Sequence, residues 1–254
     1  MFSKIKIVKA DVNCIDYKQT ITFIKNWAQL KQSRYICVAN VHMVMEAYDD
    51  AQFCQIVNQA DLVTPDGMPL VWVMRLMGEK NQTRVYGPTL TLHVAQAAAE
   101  RGLALGLYGG SPAANCGIAS KLQQLYPQLR ITYQYSPPFR PLTKEEDEEI
   151  IQEINASGAR ILLVGLGCPK QERWMAAHKG RISAVMLGVG AAFDIHSGQK
   201  PQAPAWVQRI GMEWFFRLLT EPKRLWRRYV YHNPRFLMLA LIQLVAQKYK
   251  NKFT

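Results

Sequence analysis

Ala60-Asp61-Leu62-Val63-Thr64-Pro65-Asp66-Gly67-Met68-Pro69-Leu70-Val71-Trp72 reads as a short apolar strand, a Pro-Asp-Gly turn and the start of an apolar helix. A strand-length apolar run that breaks at turn residues and resumes with helical spacing is one βα unit. The unit recurs in both directions along the chain. Tyr35-Ile36-Cys37-Val38-Ala39-Asn40 leads into a helix through Glu46. Leu103 to Tyr108 ends in Gly109-Gly110-Ser111-Pro112, with a helix expected to about Tyr126. Arg130 to Tyr135 is a further strand, and Lys144 to Ala156 an amphipathic helix with Ile150, Ile151 and Ile154 on its apolar side. Arg160 to Gly165 is a strand that breaks into Leu166-Gly167-Cys168-Pro169-Lys170-Gln171-Glu172, and Ala184 to Gly188 is the last clear one. Met1 to Lys6 alternates like a strand. Short continuous apolar strands between longer helices imply a mostly parallel sheet with helices on both faces, an α/β fold over residues 1–200.

The chain has 254 residues, 49% of them apolar, which suits one large α/β domain with an appendage and excludes disorder. Five scattered cysteines without a C-x-x-C argue against a disulfide framework or a zinc site and fit a reducing compartment. The N-terminus lacks the apolar stretch of a signal peptide, and no apolar run approaches the ~20 residues of a spanning helix. Net charge is +12, and residues 201–254 carry +8 of it, with ten Arg or Lys against Glu213 and Glu221. A near-neutral domain with a basic, aromatic-rich helical tail points to a local anionic partner. Within that tail, Ala205 to Leu219 is expected to be one helix. Thr220 is expected to cap a restart at Pro222, and Asn233-Pro234 to mark a second restart that leaves a last helix from Arg235 to about Tyr249.

Asp66 stands where a strand meets a helix, so its carboxylate can face a cleft outside the strand ends. The glycine corners at Gly109-Gly110 and Gly165-Leu166-Gly167 either cradle a phosphate at a helix N-terminus or are ordinary turns that start a helix. Lys170, Gln171 and Glu172 lie in the first helical turn, where a lysine opposes the dipole unless an anion is near. Asp194 is either a ligand acceptor or a loop staple, and His196 and His42 read as solvated loop histidines. There is no D-x-D to hold a divalent ion on a diphosphate, and Glu145 to Glu149 reads as the solvated start of a helix. Metal-free chemistry is the expectation. Arg224, Arg227 and Arg228 share one helix face, as a patch for an anionic membrane surface or as cations for a diphosphate.

These pieces together resemble the WecG/TagA/CpsF glycosyltransferases, glycosyltransferase family 26. The matching stretches are the Asn40 strand end, Pro65-Asp66-Gly67, Arg84-Val85-Tyr86-Gly87, Leu107 to Pro112, Gly165 to Glu172, Gly188-Val189-Gly190 through Phe193-Asp194, Gly198, Ala203-Pro204 and Gly211-Met212-Glu213-Trp214 with Arg217. The resemblance implies the compact α/β fold called GT-E. It implies an inverting, metal-independent transfer from a UDP-sugar to a polyprenyl-diphosphate-linked saccharide in cell-surface polymer synthesis. It also implies a cytoplasmic protein held peripherally on the inner face of the cell membrane through residues 205–250. By that resemblance Asp66 is the catalytic base and Asn40 a pocket residue beside it. Arg84, Gly109, Gly110, Gly165, Pro169, Lys170, Gln171, Glu172 and Asp194 fall in its substrate-binding motifs, and Arg217, Arg224 and Arg227 fall among the arginines that complete the site. The chain departs from the family at Thr89, at Ala191-Ala192, at Gln202 and at Val38, so N-acetylmannosamine-type and glucose-type donors both stay open.

Two other readings have different consequences. A non-catalytic nucleotide-sugar or anion-binding module docked to membrane would keep the glycine corners without needing Asp66. A nucleic-acid binder would use the basic tail, but the tail's aromatics cluster with Leu and Met as in an interfacial anchor, so no nucleic-acid partner is expected. A homo-oligomer is left open.

Overall fold

A computed structural model of the chain describes residues 3–250, without the Lys250 side chain. The expected strand start at Met1-Phe2 and the last basic residue, Lys252, lie outside them. A hairpin of β1 (Lys4–Ile7) and β2 (Ala10–Asn13) precedes α1 (Tyr17–Gln29). There follow β3 (Arg34–Ala39), α2 (Val41–Asp49), α3 (Ala51–Asn58), β4 (Leu62–Pro65), α4 (Met68–Leu76) and α5 (Gly87–Glu100). Next come β5 (Leu105–Gly109), α6 (Pro112–Leu125), β6 (Ile131–Tyr135), α7 (Lys144–Ala156), β7 (Ile161–Gly165), α8 (Lys170–His178), β8 (Val185–Gly188) and α9 (Ala192–His196). The C-terminal part holds α10 (Ala205–Arg209), α11 (Glu213–Thr220) and α12 (Pro222–Lys250).

Strands β3 to β8 form one six-stranded sheet in the order β4-β3-β8-β7-β5-β6, every pair parallel. The sheet is buried on both sides, and the strand alternation divides its residues between two cores. Tyr35, Cys37 and Ala39 face the side covered by α2, α3, α4, α7, α8 and α12, whereas Ile36 and Val38 face α1, α5, α6 and α9. Burial on both faces explains why the strands read as unbroken apolar runs. Because all six run in one direction, their carboxyl ends share one edge, where Asn40, Asp66, Gly109, Gly165 and the Gly188–Gly190 turn emerge.

The tail differs from expectation in three places. Ala205 to Leu219 is two helices, because Gly211 takes a left-handed φ of +73° between them. Thr220 is the last residue of α11, not a cap: its hydroxyl bonds back to the Phe216 and Arg217 carbonyls, each at 3.2 Å. Pro222 does start a helix, but Asn233-Pro234 does not restart one. The 29-residue α12 runs through Pro234, about 43 Å at ~1.5 Å per residue. Tertiary contacts on both sides of the proline hold it: Phe236 and Ala240 are buried on α2, Arg235 pairs with Asp49 at 2.8 Å, and Gln243 accepts from the Val8 amide at 2.8 Å. Among the described residues, no helix is long and apolar enough to cross a membrane.

Candidate active site

β3 and β4 pair so that Ala39 lies opposite Pro65, which sets Asn40 and Asp66 side by side as the next residues. The Asp66 and Gly67 amides both donate to the Ala39 carbonyl, at 2.8 and 3.2 Å. A β-carbon on Gly67 would make ordinary van der Waals contact with Asn40 Cα at 3.4 Å. Asn40 caps α2 by accepting from the Met43 amide at 3.2 Å. Asp66 Oδ1 accepts the Gly87 amide at 3.0 Å, so the carboxylate sits at the N-terminus of α5. Its Oδ2 takes no hydrogen bond among the described residues.

Arg84 organises the charge around it. Its Nη2 lies 2.6 Å from Glu213 Oε2 on α11 and 3.7 Å from Asp66 Oδ1, its Nε donates to the Asp66 carbonyl, and its guanidinium stacks 4.0 Å from the Tyr86 ring centre. The Arg84 and Asp66 side chains are each 15% exposed. Desolvation pushes the Asp66 carboxyl up to about 6, and Glu213 adds to the rise, while Arg84, the Gly87 amide and Arg217 pull it down without winning. The result is a carboxylate that is ionised at neutral pH yet close to its pKa, the condition a general base needs.

Asp66, Asn40 and Arg84 line a cavity of about 390 Å³ under α11 and α12. That is within the usual ~300–1,000 Å³ of small-molecule sites. Its other walls include Trp72 from α4, Glu213, Trp214 and Arg217 from α11, and Arg228, Tyr229 and His232 from α12. Arg217 and Arg228 make no ion pair within 4 Å among the described residues. Two guanidiniums without a close carboxylate partner in one partly buried hollow form a ready anion site. Arg224 and Arg227 do not line it. Arg224 grips Glu221 with two bonds of 2.6 and 2.8 Å, and Arg227 lies on the exposed side, 5.4 Å over Trp226. Arg228 takes the place expected for them, because it is one turn on from Arg224 and turned inward.

The remaining expected residues lie elsewhere along the edge. A β-carbon on Gly109 would meet the Gly165 carbonyl carbon at 2.7 Å, and one on Gly165 would meet the Phe193 ring at 2.6 Å. These glycines with Gly110, whose amide donates to Gly165 at 3.0 Å, let two strand ends and an aromatic ring pack closely. They do not border the cavity. Pro169 is half-buried after a cis peptide bond, and Lys170 is exposed. Gln171 is buried, accepting from the Gly167 amide at 3.1 Å and donating to Glu172 at 2.7 Å. Glu172 is fully buried, its Oε2 has no partner, and desolvation lifts it to about 7. Asp194 pairs with Lys200 at 2.5 Å, and Lys200 reaches Glu221 at 3.1 Å, so the loop-staple reading of Asp194 fits. His196 is not solvated: it contacts the Pro88 carbonyl at 2.8 Å. His42 is not solvated either, and lines the cavity with His232. Sequence reasoning gave Glu213, Tyr229 and His232 no role at the site, because their positions depend on how the tail folds back.

The profile of the glycosyl transferase WecG/TagA/CpsF family matches residues 5–250. The chain is 27% identical over 240 residues, covering 94% of this chain and 88% of the relative, to the N-acetylglucosaminyldiphosphoundecaprenol N-acetyl-beta-D-mannosaminyltransferase of Bacillus subtilis (strain 168). With a match that runs from the first strand to the last helix and takes in the Asp66 corner, the chain belongs to the glycosyl transferase WecG/TagA/CpsF family.

Proposed function

We propose that the chain is an inverting, metal-independent transferase. It moves a sugar from a UDP-sugar to a polyprenyl-diphosphate-linked saccharide during cell-surface polysaccharide or wall-polymer synthesis. The observation that carries the reading is one carboxylate poised near neutral pH in the same hollow as two unpaired guanidiniums. An acceptor hydroxyl is too weak an acid to ionise beforehand. Asp66 takes its proton as the oxygen bonds to the anomeric carbon, a contribution of roughly 10²- to 10⁴-fold. The bond to the diphosphate breaks on the opposite side of that carbon, and UDP departs with the electron pair. Arg217 and Arg228 hold the growing negative charge, which fixed cations do at no reorganisation cost. Arg84 and Glu213 set the protonation of Asp66 and tie α11 to the catalytic corner.

The acceptor would come from a membrane. Trp226, Val230, Leu237, Met238, Leu241, Ile242, Val245 and Tyr249 are exposed along α12, and Trp206, Ile210, Phe215 and Leu219 lie exposed on the helices before it. An apolar stripe beside lysines and arginines suits the headgroup boundary of an anionic leaflet. We therefore place the enzyme peripherally on the inner face of the cell membrane. The printed name of the Bacillus subtilis relative makes N-acetylmannosaminyl transfer to an N-acetylglucosaminyl-diphosphate lipid the first donor and acceptor to try. A UDP-release screen across donors, with a short-chain lipid-diphosphate sugar as acceptor, tests the reading. Acceptor-dependent release with one donor upholds it, and no release with any donor refutes it.

A further inference from the structure

We propose that His42, Glu46 and His232 form a divalent transition-metal site that clamps the C-terminal helix to the core. His42 and Glu46 are four residues apart on α2 and so share one face. His232 comes from α12, 8% exposed, and its ring centre is 5.1 Å from that of His42. His42 Nδ1 and His232 Nε2 each lie 3.6 Å from Glu46 Oε1, and one ligand atom from each residue falls within 4.8 Å of the others. Tetrahedral zinc, with bonds of about 2.0–2.1 Å, sets its ligand atoms about 3.3–3.5 Å apart. The two separations from Glu46 are already near that spacing.

The cluster holds an unsatisfied buried nitrogen. His42 Nδ1 is buried without a hydrogen-bond partner. It faces the Glu46 carboxylate oxygen at 3.6 Å, too far for a hydrogen bond. The neutral ring is the ligating form. Two imidazoles and one carboxylate suit zinc, cobalt, nickel or ferrous ions, and not magnesium or calcium.

The clamp joins two elements that are far apart in sequence, and the glycosyl transfer proposed above does not run through it. Arg228, one turn before His232, opposes the metal by like charge and so offers a control of opposite sign. The experiment is a cobalt(II) titration of the untagged, chelator-stripped full-length chain, followed by its visible ligand-field bands, with hydrogen exchange across residues 222–245. The site predicts one equivalent bound and slower exchange in that segment. Glu46→Gln and His232→Ala should each weaken binding at least ~10-fold, and Arg228→Gln should strengthen it. If His232→Ala does not fold, the near-isosteric Glu46→Gln decides alone. Absence of one-equivalent binding overturns the proposal. So does binding that survives these substitutions, or bound cobalt that leaves exchange unchanged.

Discussion

Arg84→Met removes the cation that sits between two carboxylates while keeping much of the side chain's bulk. Arg84 Nη2 is 3.7 Å from Asp66 Oδ1 and 2.6 Å from Glu213 Oε2. Two unit charges about 4 Å apart interact by about 4 kcal/mol at an effective dielectric of ~20. Arg84 divides its attraction between the two acids and loses part of it to solvent, so about half of that is a reasonable worth for Asp66. At ~1.4 kcal/mol per pKa unit, Asp66 should move up by about 1.5 units, from about 6. A base with a raised pKa is protonated, and idle, over more of the acidic range. At pH 7 the ionised fraction should fall from about nine-tenths to about one-quarter, a loss of about fourfold that reverses at alkaline pH. The assay is kcat/KM by UDP release over roughly pH 5 to 9, whose acidic limb reports the free enzyme's base. Glu213→Gln is the opposite control: it removes a repulsion and frees Arg84 for Asp66, so its limb should move to lower pH. An acidic limb that stays in place in Arg84→Met, or moves down, refutes the assignment of Asp66 as the titrating base.

Three further outcomes follow from burial. Asp66→Asn should raise stability at neutral pH. The folded pKa lies above the unfolded one, so the native carboxyl binds its proton more tightly and stability falls as pH rises from about 4 to about 6. Relief of about 2–3 kcal/mol should lift Tm by roughly 4 °C or more, and a lower Tm contradicts the raised pKa. Glu172→Gln should likewise stabilise most above pH 7, where the buried native carboxylate would otherwise be charged with Oε2 unpartnered; denaturant melts as a function of pH should show the gain shrink toward pH 4. Phe236→Ala should cost about 3–5 kcal/mol of docking for a fully buried ring. Hydrogen exchange should then quicken from residue 222 onward with the sheet unaffected, and equal quickening in β3 and β7 would show that helix and core unfold as one unit.

The sheet was legible because burial on both faces leaves continuous apolar runs between turn residues, as at Ile161–Gly165 and Val185–Gly188. Asp66 was legible because Pro-Asp-Gly can only stand at a corner between such a run and a helix. Its protonation was not, since that depends on Glu213, which is 147 residues away and arrives through the fold of the tail. The tail read poorly for the same reason. Pro234 argues for a break by local propensity, yet Phe236, Arg235 and Gln243 secure the helix through partners on α2 and the hairpin. The glycine corners carry the motif but serve strand packing around Phe193, a distinction that only the distances across Gly109 and Gly165 reveal. Arg224, Arg227 and Arg228 were indistinguishable as letters. Glu221 holds one, Trp226 lies under another, and the cavity receives the third.

The most direct measurement is turnover by Asp66→Asn alongside donor binding. The substitution keeps the side chain's size and its place at the α5 N-terminus while removing the proton acceptor. With a UDP-sugar and a lipid-diphosphate sugar acceptor, we expect turnover to fall by about 10²- to 10⁴-fold while UDP-sugar affinity stays within about threefold, which is under ~1 kcal/mol. Turnover that survives the substitution at near wild-type rate would contradict the account.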